Sequence, residues 1–169
     1  YLARLATELG STYQPPCAGA FAVATAVGGE RIAFTNSGWA FSPTQTEAEL
    51  GLQKLLFLND FEAQALSLPG LSAAQVRPIG PLAPAPVPGA ALAVIGPGTG
   101  LGVAGLVPTP HGWVAVPGEG GHASLAAADD FEAALLAAVR QEFPHVSAER
   151  LLSGIGLPVL HRGVAVVLG

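Results

Sequence analysis

Residues Leu55-Leu56-Phe57-Leu58-Asn59-Asp60-Phe61 place an amide and a carboxylate directly after four apolar side chains. The run is short, lacks Gly and Pro, and reads as a buried strand. Glu62-Ala63-Gln64-Ala65-Leu66 then reads as the start of a helix. In open α/β sheets ligands bind beyond the carboxyl ends of strands, where Asn59 and Asp60 fall. An acid at that place can act as general base on a substrate hydroxyl. It can equally serve as the N-cap of the helix that follows. The stretch by itself leaves both roles open.

Three further stretches carry chemistry. Gly96-Pro97-Gly98-Thr99-Gly100-Leu101-Gly102 has four glycines in seven residues. Such a turn lets backbone N–H groups face an anion closely, and Thr99 adds a hydroxyl. It lacks the Gly-Lys-Ser/Thr of a Walker A loop, and its glycines are out of register for a dinucleotide fingerprint. It is therefore either a hairpin tip that holds a phosphate or simply a tight hairpin. Pro117-Gly118-Glu119-Gly120-Gly121-His122 sets an acid and an imidazole three residues apart in a segment too rich in glycine for a helix. The pair can converge on one small ligand or lie in a solvated loop. A metal would need a third nearby ligand, so a metal site is not expected. Glu149, in His145-Val146-Ser147-Ala148-Glu149-Arg150, falls in the first turn of a short helix. Acids are favoured there by the helix dipole, which competes with a role as a ligand contact.

The elements that must position these groups follow from local pattern. Leu2, Leu5 and Leu9 share one helical face, with Arg4 and Glu8 four apart on another. A start directly in a helix suggests a chain that begins inside a domain. Ala18 to Val27 reads as a strand, Gly28-Gly29-Glu30 as its turn, and Arg31-Ile32-Ala33-Phe34 as its hairpin partner. Ser42-Pro43-Thr44-Gln45 predicts a helix with a capping box, running to Leu50 and stopping at Gly51. Residues 78–89 hold five prolines, which predicts an extended loop and places a domain boundary there or near Pro69-Gly70. Strands are expected at Ala91 to Ile95, Leu101 to Val107 and Trp113 to Val116. A helix follows from Phe131 to Glu142, with Asp129 and Glu132 as its capping box and Phe131, Leu135 and Val139 on one face. Ser147 is placed to cap a short helix from Ala148 to Leu152.

Composition narrows the class. Half of the 169 residues are apolar and 11% are charged, which suits a sizeable core rather than a disordered segment. The net charge is −5 and the seven Lys and Arg are scattered, so no basic stripe exists for nucleic acid. Cys17 is the single cysteine, which excludes an internal disulfide and a cysteine-based zinc site. Glycines and Pro97 interrupt the most apolar stretch, Ala90 to Val107, so no membrane span is expected. With no signal peptide pattern at the first residues, a cytoplasmic protein is the default.

Taken together the segments resemble the bacterial ATP-dependent glucokinase family of the hexokinase and actin-like superfamily. The resemblance rests on Thr35-Asn36-Ser37-Gly38-Trp39-Ala40-Phe41-Ser42, Asn59-Asp60-Phe61, Gly98-Thr99-Gly100-Leu101-Gly102-Val103, Pro117 to His122, and His145 to Gly154, in family order. It implies an α/β, ribonuclease H-like, actin-like two-domain sugar kinase. Residues 1–70 would belong to the small domain and 71–169 would begin the large one. It implies Asp60 as the catalytic base for the 6-hydroxyl of glucose, with Asn59, Glu119, His122 and Glu149 as further sugar ligands. Gly98, Thr99 and Gly100 would form the second phosphate loop for ATP, with Mg²⁺ as the accompanying ion. The family's D-x-G-G-T-x-x-R motif, which supplies the first phosphate loop and a metal-associated acid, is absent, as is its C-terminal Gly-rich segment. The chain thus looks like the central part of a glucokinase, inactive alone, and the resemblance is compatible with a homodimer. A non-catalytic hexose-binding module and a related hexose kinase are the alternatives. The Cys-rich zinc motif of repressor-type sugar kinases is missing.

Overall fold

The computed structural model describes residues 1–34, 37–80 and 87–169. Thr35 and Asn36 of the family-like motif, and Pro81, Pro84 and Pro86 of the proline-rich loop, lie outside the described residues. The chain divides into two compact units, Tyr1–Ala63 and Gln64–Gly169.

In the first unit, helix α1 (Leu2–Leu9) forms where the leucine spacing predicts it, and Arg4 pairs with Glu8 at 3.1 Å. Both charges are largely exposed, so the pair contributes little. Strand β1 (Ala18–Val23) does not form the expected hairpin with residues 31–34. It pairs in parallel with β4 (Lys54–Asn59), from Ala18 opposite Lys54 to Val23 opposite Asn59. A parallel pair needs a long crossover, and residues 24–53 supply it. The returning segment, β2 (Ile32–Ala33), pairs instead with β3 (Ala40–Phe41). Aromatic contacts favour that choice: Phe34 stacks on Trp39 with centroids 5.4 Å apart, and Phe41 meets Phe57 of β4 at 5.0 Å. One bond survives from the predicted hairpin, Thr25 Oγ1 donating to the Ala33 carbonyl at 2.9 Å.

Helix α2 (Pro43–Leu50) starts at Ser42, whose hydroxyl accepts the Gln45 N–H at 3.4 Å, and stops at Gly51. The capping box is only half formed, because the Gln45 amide donates to Glu49 at 2.8 Å instead of turning back. Glu47 fastens α2 to the sheet by accepting the Leu55 N–H at 2.5 Å. Strand β4 is half-buried, not buried as its apolar run predicts. Among the described residues it has one neighbouring strand, and Leu56 stays 45% exposed. Helix α3 (Asp60–Ser67) follows β4 without an intervening loop, and the division between the units falls inside it.

The second unit carries the three expected strands, which pair as an antiparallel meander. Strands β5 (Leu92–Pro97), β6 (Leu101–Thr109) and β7 (Gly112–Gly118) pair in that order, with Pro97 opposite Leu101 and Thr109 opposite Gly112. Helix α4 (Asp130–Val139) is capped by Asp129, which accepts the Glu132 N–H at 2.8 Å. Here too the reciprocal bond is diverted: the Glu132 carboxylate accepts from the Ala128 N–H at 2.7 Å. The helix ends at Val139, and residues 140–142 form a turn rather than its last helical residues. Ser147 caps α5 (Ala148–Leu151) through the Arg150 N–H at 3.2 Å. Residues 157–168 form helix α6 (Leu157–Leu168), an element not expected from sequence.

Leu135, Leu136, Val139, Val146, Leu151 and Val159 form the core of this unit. Phe131, expected on the same face, is 42% exposed. It lies one turn before the place where α4 meets α6. That meeting depends on Gly163, where a Cβ would stand 2.5 Å from Leu135 Cδ1 and 2.9 Å from Val139 Cγ2. Leu135 and Val139 are both buried, and Val139 is stiff at its first side-chain torsion. Gly163→Ala should therefore overpack the contact by about 1–3 kcal/mol, against a helix-propensity gain of about 1 kcal/mol. Thermal unfolding should show a lowered midpoint for Gly163→Ala and little change for Val166→Ala, whose side chain is exposed. A raised midpoint for Gly163→Ala would contradict the close packing.

Candidate functional site

The junction of β4 and α3 divides its polar work between two adjacent side chains. Asn59 is the cap. Its Oδ1 accepts the Phe61 N–H at 3.0 Å and the Glu62 N–H at 3.4 Å. Glu62 returns the contact by accepting the Asn59 N–H at 3.3 Å, which completes a reciprocal capping box. The Asn59 Nδ2 donates to the Thr25 carbonyl at 3.4 Å, tying the strand end to the segment that leaves β1. Asp60, the alternative cap from sequence, is instead the first helical residue. Its Oδ1 shares the Phe61 N–H at 3.0 Å, and its Oδ2 has no partner among the described residues. A partly buried carboxylate with one free oxygen is thus held at a strand end.

The second unit gathers the remaining candidates. The β5–β6 turn is Gly98-Thr99-Gly100, closed by the Gly98 N–H donating to the Gly100 carbonyl at 2.8 Å. Thr99 stands exposed at its tip. The N–H groups of Thr99 and Gly100 have no acceptor among the described residues. This is the donor arrangement an anion such as a phosphate uses.

Glu119 precedes, and His122 closes, a single turn of 3-10 helix, Gly120–His122, where the glycine content predicts no helix. Buried Gly121 holds that turn against β6, because it lies on the Leu101 carbonyl where a Cβ has no room. The chain then leads to the Glu149 segment through backbone bonds. Leu125 N–H donates to the Val146 carbonyl at 3.0 Å and Ala148 N–H to the Ala123 carbonyl at 3.1 Å. As a result His122 Nε2 lies 3.7 Å from Glu119 Oε2 and 3.8 Å from Glu149 Oε1. These are ion-pair distances when the imidazole is protonated and are too long for hydrogen bonds. Glu119 and His122 are largely exposed, whereas the Glu149 side chain is only 22% exposed. Among the described residues, no group of three or more His, Cys, Asp and Glu side chains is arranged to hold a metal ion.

Two contacts in this region were not foreseen. Glu149 Oε2 accepts the Leu101 N–H at 2.7 Å, and the Gly154 N–H donates to the Gly98 carbonyl at 2.8 Å. The sequence predicts a dipole or ligand role for Glu149. No local pattern relates Glu149 or Gly154 to a turn about 50 positions earlier.

The family model described as Glucokinase matches residues 2–167. The chain belongs to the glucokinase family. It is 44% identical over 169 residues to a glucokinase of Nitrobacter hamburgensis, covering all of this chain and 51% of the relative. The solved structure of a glucokinase from an Antarctic psychrotroph superposes with a TM-score of 0.78 at 38% identity, over 89% of this chain and 46% of that one. A glucokinase from Balamuthia mandrillaris, solved in complex with glucose, shares the fold at 21% identity and a TM-score of 0.58. It aligns with 83% of this chain and 44% of that one. The α/β, actin-like sugar-kinase fold expected from sequence is therefore established, and the chain spans about half the length of the glucokinases it matches.

The division at α3 is testable through stability. Asn59→Ala should cost about 1 kcal/mol, the usual loss for a removed cap, whereas Asp60→Ala should cost clearly less. Denaturant unfolding of the two variants measures the difference. An Asp60→Ala loss equal to or larger than that of Asn59→Ala would return the capping role to Asp60.

Proposed function

We propose that the full-length protein carrying this segment is an ATP-dependent glucokinase that transfers the γ-phosphoryl group of ATP to the 6-hydroxyl of glucose, the first step of glycolysis. The observation that carries this reading is the division of labour at the start of α3. Asn59 and Glu62 form the capping box, Asp60 Oδ1 only shares the Phe61 N–H, and Asp60 Oδ2 is left without a partner among the described residues. In this reading Asp60 accepts the hydroxyl proton as the sugar oxygen attacks the γ-phosphorus and ADP departs. A well-placed general base contributes on the order of 10²–10⁴ in rate, and positioning contributes much of the rest in phosphoryl transfer.

The other assignments belong to the same proposal. Residues 1–70 act as part of a small domain and 71–169 as the first part of a large one. Asn59, Glu119, His122 and Glu149 bind hydroxyls of the hexose. Each bond between a carboxylate and a hydroxyl is worth about 1.5–3 kcal/mol. A site built on such bonds discriminates strongly against sugars lacking a hydroxyl. Thr99 and Gly100 offer N–H donors to ATP phosphates, and the Gly98 carbonyl and N–H shape the turn. Magnesium arrives with the nucleotide, because Mg²⁺ commonly keeps several waters and few protein ligands. A single cysteine is consistent with work in the cytoplasm.

Asp60→Asn in the full-length protein tests the role of the base. A coupled assay should show turnover reduced by roughly 10²-fold or more, while calorimetry still detects glucose binding. Near-normal turnover would remove Asp60 from that role. Glucose binding with no nucleotide binding in the unaltered protein would favour a hexose-binding module.

A further inference from the structure

Glu149 uses its two carboxylate oxygens in different directions. Oε2 accepts the backbone N–H of Leu101, the residue directly after the Gly98-Thr99-Gly100 turn, at 2.7 Å. Oε1 faces His122 Nε2 at 3.8 Å, beyond hydrogen-bond range, and so remains available to another donor. The fit on the turn side is close, since a Cβ built on Gly100 would collide with the Glu149 carboxylate. A few residues on, the Gly154 N–H holds the Gly98 carbonyl at 2.8 Å. The turn is therefore fastened at both shoulders by the segment that bears Glu149. All of these contacts lie within the second compact unit.

We propose that Glu149 is a positioning residue for the phosphate-side turn as well as a sugar contact, so that one carboxylate links the two substrates. This rests on the glucokinase reading above. A sugar hydroxyl donating to Oε1 restricts the carboxylate, and the restricted carboxylate in turn fixes Leu101 and the N–H groups of Thr99 and Gly100. Sugar and nucleotide then each favour the arrangement the other needs. By reciprocity of linked equilibria, the factor by which glucose tightens nucleotide binding equals the factor in the opposite direction.

The chemistry of the side chain separates positioning from sugar contact. A glutamine at 149 retains one oxygen, and the Leu101 N–H is a donor that only that oxygen can accept. Its NH₂ group then points to the sugar side, where an acceptor has been lost. Alanine loses both contacts.

The test measures two affinities by calorimetry in the full-length protein. The first is that of a non-hydrolysable ATP analogue with Mg²⁺, without sugar, and the second is that of glucose, without nucleotide. Glu149→Ala should weaken the analogue roughly tenfold, the scale of a lost hydrogen bond to a charged group, and should weaken glucose as well. Glu149→Gln should restore the analogue to within about twofold of the unaltered protein while glucose stays weakened, since the amide keeps one of the two acceptors. A folded Glu149→Ala variant with unchanged analogue affinity would overturn the proposal. If Glu149→Ala does not fold, Gly100→Ala decides from the other side. Its added methyl displaces the carboxylate, so glucose affinity measured without nucleotide should fall several-fold, and an unchanged value would overturn the proposal. If the unaltered protein binds neither ligand, the glucokinase reading falls and takes this inference with it. Binding of both ligands, with no effect of Glu149→Ala on the analogue, would overturn the linkage alone.

Discussion

The bond from the Leu101 N–H to the Glu149 carboxylate joins parts of the second unit that are otherwise far apart in sequence. A glycine-rich turn has too little side-chain packing to define its own shape, and its backbone entropy favours many conformations. An acceptor of high charge density next to the turn reduces that freedom without occupying the turn's face. The carboxylate is itself held in place, because α5 is capped by Ser147 and its approach is laced by backbone bonds to residues 123–125. Those residues follow directly from the turn that bears His122. The geometry of three candidate residues, Gly100, His122 and Glu149, is thus a consequence of one connected set of polar contacts.

A comparable economy operates at the end of β4. A helix that begins without a loop leaves several backbone N–H groups to satisfy, and the nearest acceptor could easily be the acid at its first position. Here the amide before it and the glutamate after it take most of that duty, and Asp60 Oδ1 only shares the Phe61 N–H. Structural and chemical demands on neighbouring side chains are thereby separated. Asp60 Oδ2 is left without a partner among the described residues, as the proposed role of Asp60 requires.

Features that depend on near neighbours were legible in the sequence. Ser42, Asp129 and Ser147 each cap the helix they precede, and the β5–β6–β7 meander follows the alternation of apolar runs and glycine turns. The strand pairing was decided by distant residues. The strand Ala18–Val23 chose a parallel partner more than 30 positions away over a local hairpin, with the aromatic groups of β2, β3 and β4 favouring that choice. The two capping boxes predicted from sequence lack their reciprocal half, since Gln45 and Glu132 have other partners nearby. Helix α6 was not expected from sequence; Pro158 sits in its first turn, where proline is tolerated, and Gly163 is its point of close contact with α4. The candidate residues themselves were recognised from family-like motifs. Their mutual arrangement was not, because the Glu149 to Leu101 contact spans 48 positions and has no periodic signature.

The central claim is that Glu149 holds the turn through the Leu101 amide, and exchange of that amide hydrogen reads it most directly. In the full-length protein, the Leu101 amide should exchange slowly without ligands and more slowly when glucose alone is added. Exchange at the rate of a free loop amide, with no response to glucose, would contradict the account.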